Sequence, residues 1–166
     1  TLNALMENEL KINGKIIHEK NELEKYSTDS SPYKITPTMA VVPKNKQDII
    51  DTINFARKKN TPITARAAGT NTCGSAIGKG IVLDFSQMNS IVWQKKNTVR
   101  VQPGIIYADL NKTLEKNNQA IMFNPSSNKA CMIGGNLATN AAGLCSVKYG
   151  SIDAFVKSVE FVDSTG

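Results

Sequence analysis

The stretch Ala65 to Ala76, ARAAGTNTCGSA, holds almost no side chain larger than threonine apart from Arg66, and it follows Pro62 to Arg66, which reads as a strand. Small residues leave backbone N–H groups uncovered, and successive N–H groups in such a loop form a concave nest for phosphate oxygens. Gly69 and Gly74 permit positive φ, while Thr70, Thr72 and Ser75 add hydroxyl donors. A pyrophosphate suits this loop. Two familiar alternatives fail on spacing: there is no GxGxxG, and Gly74 to Gly80 (GSAIGKG) is not GxxxxGK followed by Ser or Thr. A plain connecting loop stays open on composition alone, since Gly and Ser cluster in many turns.

Upstream, Met39 to Val42 is a short apolar run ended by Pro43, the pattern of a buried strand. Asn45 can cap a helix with Asp48 three residues on, and Ile49, Ile53 and Ala56 recur on one face until Asn60 and Pro62 stop it. This β-α-β order implies a parallel pair joined by a right-handed crossover. Before it, Ser27 to Pro37 reads as an irregular loop, Asn21 to Tyr26 as a polar turn or helix, and Leu2, Leu5, Met6 and Leu10 fall at helical spacing ahead of Gly14. Downstream come three short strands, Ile81 to Phe85, Ile91 to Gln94 and Thr98 to Gln102. Tyr107 to Asn117 reads as a helix with Leu110 and Leu114 inward, and Phe155 to Val162 as a strand. Asp163 to Gly166 is turn chemistry with no strand to return, so the sequence reads as truncated.

A second small-residue loop runs from Asn124 to about Gly150 and includes NPSSNKACMIGGNLATNAAG, Asn124 to Gly143. Gly134, Gly135, Ala138, Ala141, Ala142 and Gly143 would let a flat ring lie against backbone. Ser126, Ser127, Thr139 and Asn140 can hydrogen-bond its polar edge or a ribityl chain. One extended ligand could span both loops; tight packing is the competing reading of Ala141-Ala142-Gly143.

The rest of the composition narrows the class. A chain of 166 residues, 40% hydrophobic and 20% charged, fits one globular domain. Its net charge of +6 comes from dispersed lysines, a solvated basic surface that would attract a dianionic ligand and does not point to nucleic acid. Cys73, Cys131 and Cys145 form no CxxC pair, which favours packing thiols and a reducing compartment, the cytosol. No run reaches the ~20 apolar residues of a membrane span, and no signal pattern opens the chain. His18, the only histidine, reads as a surface residue, and no metal site is expected.

In these segments the sequence closely resembles the FAD-binding (PCMH-type) domain of the vanillyl-alcohol oxidase or p-cresol methylhydroxylase flavoprotein superfamily, particularly its glycolate oxidase flavin subunit and D-lactate dehydrogenase branch. The resemblance rests on the order of Tyr26-Ser27-Thr28-Asp29, the Met39 to Val42 strand with Pro43, Pro62 to Ser75, Ile81 to Ile91, Val101 to Gly104, Pro125-Ser126-Ser127, Ile133 to Gly143 and Lys148-Tyr149-Gly150. It implies an α+β fold of two α+β subdomains, the first with a small parallel β-α-β sheet and the second largely antiparallel and incomplete. Residues 1–36 would be a helical or irregular extension and 37–166 the FAD-binding domain. Arg66, Ala67, Ala68, Gly69, Thr70, Gly74 and Ser75 match the pyrophosphate loop. Pro125, Ser126, Ser127, Ile133, Gly134, Gly135, Asn136, Thr139, Asn140, Ala141 and Gly143 match the flavin side. Ala67 stands where glycine is usual, Asn124 where aspartate is, and Met132 where threonine often is.

The family resemblance further implies oxidation of a small 2-hydroxy acid such as glycolate or D-lactate, by hydride transfer to flavin N5. The electrons then pass to a quinone or an electron-transfer protein. A non-catalytic FAD scaffold and another branch, such as an ether-lipid synthase, are the alternatives. Members that tether FAD often do so through a histidine where this sequence has Thr70, which implies non-covalent FAD. Catalytic residues are expected in a cap domain beyond Gly166, and the compartment is expected to be cytoplasmic or peripheral to a membrane. Tyr26 and Asp29 are expected to make loop-stabilising hydrogen bonds rather than to catalyse.

Overall fold

A computed structural model describes residues 9–166. They form two compact units: the chain up to Gln87 with Phe161–Gly166, and Met88–Glu160. The helix expected from Leu2 lies outside the described residues except for Glu9 and the buried Leu10.

The first unit is built on a four-stranded sheet of order β1-β2-β4-β3, formed by β1 (Lys15–Ile17), β2 (Met39–Val42), β3 (Ile63–Arg66) and β4 (Ile81–Asp84). β1 runs antiparallel to β2, with Lys15 opposite Val42; β2 and β3 each run parallel to β4, with Met39 and Ile63 both opposite Ile81. Every residue of β2 and β4 is buried, as strands covered on both faces require. Ala40, Val42 and Val82 pack with Ile17, Leu23 and Tyr26. The expected parallel strands are thus present, but they are not neighbours, because β4 lies between them. Residues 15–17 also supply a strand that the apolar pattern did not announce.

Two helices, α1 (Lys20–Leu23) and α2 (Lys46–Lys58), belong to this unit. Asn45 caps α2 as expected, its Oδ1 accepting the Asp48 N–H at 3.0 Å. Asp48 is itself buried, and its carboxylate accepts the N–H groups of Asn13 and Lys44, each at 2.9 Å. Burial alone would raise this carboxyl; the surrounding donors outweigh it and hold the group below the usual carboxylate range. Ile49 and Ala56 face inward, whereas Ile53 is only half-buried. Thr52 takes the interior place, with its hydroxyl donated to the Asp48 carbonyl. At the C-terminus Asn60 turns left-handed (φ 49), and the Thr61 N–H reaches back to the Ala56 carbonyl at 2.9 Å.

The second unit begins with an antiparallel hairpin, β5 (Ile91–Lys95) and β6 (Thr98–Val101), turning at Lys96-Asn97. α3 (Tyr107–Leu114) buries Leu110 and Leu114 with Ile105. Phe123, Tyr107, Cys131 and Ile152 form a second cluster, with the Tyr107 and Phe123 rings edge to face at 4.9 Å. Two expectations fail here. The stretch after Asn124 is not one long loop, since α4 (Ile133–Ala138) and α5 (Ser146–Tyr149) interrupt it. The expected strand from Phe155 is absent: Ile152–Phe155 is a 3-10 turn, and no strand follows it among the described residues. A strand needs a neighbour for its amides, and the ladder of β5 and β6 extends to no third strand.

Candidate functional site

The small-residue loop leaves the carboxyl end of β3, where Arg66 lies opposite Asp84 of β4. Ligands of parallel α/β sheets gather at such ends. Gly69 and Gly74 adopt φ of 68° and 77°, the left-handed turns that let the loop curl. Among the described residues, the N–H groups of Ala68, Gly69 and Thr70 make no hydrogen bond. The second half of the loop differs from the expected bare nest. Asn71 Oδ1 accepts the N–H groups of Cys73 (3.2 Å) and Ser75 (3.0 Å), and Asp29 Oδ2 accepts that of Ala76 (3.3 Å). Short loops with a carboxamide fold back on themselves in this way. The amides of Cys73, Ser75 and Ala76 are thus taken up, an unbroken run of open N–H groups begins at Ala68–Thr70, and Ser75 keeps an exposed side chain.

The segment before β2 braces this loop. Ser30 donates its N–H to the Gly69 carbonyl at 3.0 Å, and the Tyr33 ring lies 3.0 Å from where a Cβ on Gly74 would stand. Asp29 Oδ2 also accepts the Asn71 amide at 2.9 Å. Burial raises the Asp29 carboxyl, but hydrogen bonds from Ser31, Asn71 and Ala76 together hold it below its usual range. Arg66 acts from beneath, donating to the carbonyls of Ala76 (3.1 Å) and Lys25 (3.4 Å). Tyr26 donates to Asp84 Oδ2 at 2.9 Å; burial first, and then the adjacent carboxylate, push its hydroxyl pKa far above the ordinary tyrosine value. Asn71 and Ser30 are the residues that sequence reasoning missed. The one carboxamide in a run of small residues was the available signal.

In the second unit the matched flavin-side residues divide. Gly134 is glycine because a Cβ would stand 2.6 Å from Pro103 Cβ, and Gly143 because a Cβ would stand 2.0 Å from the Asn124 carbonyl oxygen. Asn136 is buried, its amide on Cys131 Sγ at 3.4 Å. Ile133 packs against the Phe123 cluster, as does Ala141, and Pro125 is buried. These side chains serve the interior, and at Gly134 and Gly143 close packing by itself requires glycine. Asn140 is exposed and left-handed (φ 46). Ser126, Ser127, Gly135 and Thr139 keep exposed or half-buried surface, although the Thr139 hydroxyl donates to the Gly135 carbonyl at 3.0 Å. Asn124 is left-handed (φ 44), and its Oδ1 accepts the Asn128 amide at 3.0 Å.

His18 is half-buried just after β1, not a surface residue. Cys131 is a core residue as expected, but Cys73 is exposed, with its Sγ 3.5 Å from Asn71 Oδ1. No helix among the described residues is long and apolar enough to cross a membrane.

A mixed sheet ending in a loop with open amides, and a separate unit built on an antiparallel hairpin, define an α+β protein. Residues 37–166 match the FAD binding domain family, and the chain belongs to it. It is 34% identical over 146 residues to the glycolate oxidase subunit GlcD of Bacillus subtilis, covering 85% of this chain and 31% of that one. It is 31% identical over 138 residues to the D-lactate dehydrogenase of Anaerostipes hadrus, covering 80% and 29%. Among solved structures, an alkyldihydroxyacetonephosphate synthase superimposes with a TM-score of 0.79 at 24% identity, over 90% of this chain and 32% of that one. The chain thus spans about a third of the length of these three proteins.

Proposed function

We propose that this chain is the FAD-holding part of an oxidoreductase that oxidises a small 2-hydroxy acid such as glycolate or D-lactate. The observation that carries the reading is the open array of N–H groups at Ala68, Gly69 and Thr70, set at the carboxyl end of β3 in a chain of the FAD binding domain family. The relatedness to a glycolate oxidase subunit and a D-lactate dehydrogenase supports the substrate class. When bound, FAD supplies the redox chemistry, taking up two electrons as a hydride equivalent at N5. The protein holds and orients it.

Ala68, Gly69 and Thr70 offer amides to the pyrophosphate, with the Thr70 and Ser75 hydroxyls beside them. Arg66 fixes the floor of that loop while two of its five N–H donors are engaged. In the second unit Ser126, Ser127, Gly135, Thr139 and Asn140 are the flavin-side candidates with surface to offer. The flavin is held non-covalently, because Thr70 offers no imidazole for a tether. The electrons leave to a quinone or an electron-transfer protein, and the protein works in the cytoplasm or at a membrane surface.

The test uses the intact protein. Expected are a flavin absorption band, release of the flavin into the supernatant on acid precipitation, and bleaching of the band by glycolate, D-lactate or 2-hydroxyglutarate when no acceptor is present. Protein that takes up no FAD defeats the reading. A bound flavin that none of the hydroxy acids bleaches removes the proposed substrate class.

A further inference from the structure

The segment Asp29–Tyr33 is engaged with the small-residue loop at several points, and Asp29 and Asn71 between them take up the amides of Cys73, Ser75 and Ala76. The Asp29 carboxylate takes the Asn71 amide (2.9 Å) and the Ala76 N–H (3.3 Å). The Asn71 side-chain Oδ1 takes the N–H groups of Cys73 and Ser75. Ser30 holds the Gly69 carbonyl. In a trans peptide the carbonyl and the following N–H point in opposite directions. Fixing the Gly69 carbonyl on Ser30 therefore aims the Thr70 N–H away from that segment.

We propose that Asp29 and Asn71 form a positioning clasp that closes the second half of the loop and presents Ala68–Thr70 as the seat for the diphosphate of a dinucleotide, so that affinity for the diphosphate depends on the clasp. The inference rests on the FAD-holding role proposed above. It also runs against simple electrostatics. A carboxylate beside an anion seat should repel the ligand, so what it offers the seat must come from the groups it holds in place. Three hydrogen bonds converge on the Asp29 carboxylate, from Ser31, Asn71 and Ala76, which spreads and offsets its charge.

The experiment titrates FAD, ADP and riboflavin into the flavin-free intact protein by calorimetry, with thermal melting of each unliganded variant alongside. Asp29→Ala and Asn71→Ala should each weaken FAD and ADP by about tenfold or more, the loss that goes with a charge-assisted hydrogen bond. Riboflavin, which has no diphosphate, should change by less than about twofold. The exchanged pair, Asp29→Asn with Asn71→Asp, restores an amide-to-carboxylate contact and should recover most of the affinity.

FAD affinity that is unchanged or improved in Asp29→Ala, which removes the acceptor together with the charge, would show that this side chain positions nothing the diphosphate needs, and would overturn the clasp. Equal losses for FAD and riboflavin, in step with lowered melting, would overturn it as general destabilisation. A parent protein that binds neither FAD nor ADP sinks the FAD-holding role itself, and with it the clasp. That outcome is told apart by being present before any substitution.

Discussion

Replacing Gly143 with alanine places a Cβ 2.0 Å from the Asn124 carbonyl oxygen, 2.3 Å from its carbon and 2.5 Å from the Phe123 oxygen, where ordinary contact begins near 3.4 Å. All three are backbone atoms, so no rotamer relieves the clash. The chain at Phe123–Asn124 must move by more than an ångström, and Phe123 is fully buried in the Tyr107, Cys131 and Ile152 cluster. Overpacking of this kind costs about 1–3 kcal/mol. The hydrogen bonds from Leu144 N–H to the Asn124 carbonyl (3.1 Å) and from Gly143 N–H to Ser146 Oγ (2.7 Å) are strained with it, at about 1 kcal/mol each. The total is roughly 3–5 kcal/mol, a large share of a domain's stability, and corresponds to a drop in Tm of about 6–20 °C. Circular dichroism melts of the flavin-free intact protein measure it. A variant that melts within about 2 °C of the parent yet binds FAD less well would refute the packing argument and return Gly143 to the ligand.

Tyr26→Phe removes the hydroxyl that Asp84 accepts at 2.9 Å inside the first unit, leaving a buried carboxylate oxygen short of a donor. A loss of about 1–3 kcal/mol is expected, read as a lowered denaturant midpoint with an unchanged slope. An unshifted midpoint contradicts it. Asp48 titrates lower in the folded chain than its ordinary value of 3.8, so between the two values the unfolded chain binds more protons. Its contribution is therefore complete above the ordinary value and is lost as pH falls through the lowered one. Melting followed from about pH 6 down to about pH 2 should decline less steeply in Asp48→Asn than in the parent, and parallel curves would count against this.

Local signals in the sequence read well where they were strong. The Met39–Val42 run, the Asn45 cap and the Asn60 stop all lie where side-chain chemistry alone predicts them. What lies beside a strand is a tertiary matter, and no local pattern announces that Ile81–Asp84 inserts between two strands joined by a helix. β1 escaped because three residues between charged and polar flanks carry too little periodicity to register. In the second small-residue stretch, Gly134-Gly135 reads as a helix breaker, since glycine costs about 1 kcal/mol inside a helix. The approach to Pro103, with the Gly134 N–H on the Pro103 carbonyl at 2.8 Å, explains why Gly134 is accepted there. In the first loop the residue types pointed to an amide cradle, but composition could not reveal that Asn71 and Asp29 occupy three of those amides.

The left-handed corner at residue 124 changes the meaning of one departure from the family pattern. Asparagine and aspartate are nearly isosteric, and both tolerate that backbone geometry far better than most side chains do. Either could accept the amide of Asn128 through a side-chain oxygen. Exchanging one for the other therefore alters a formal charge without bending the main chain. A search that demanded an acid at this place would discard a polypeptide whose architecture is intact.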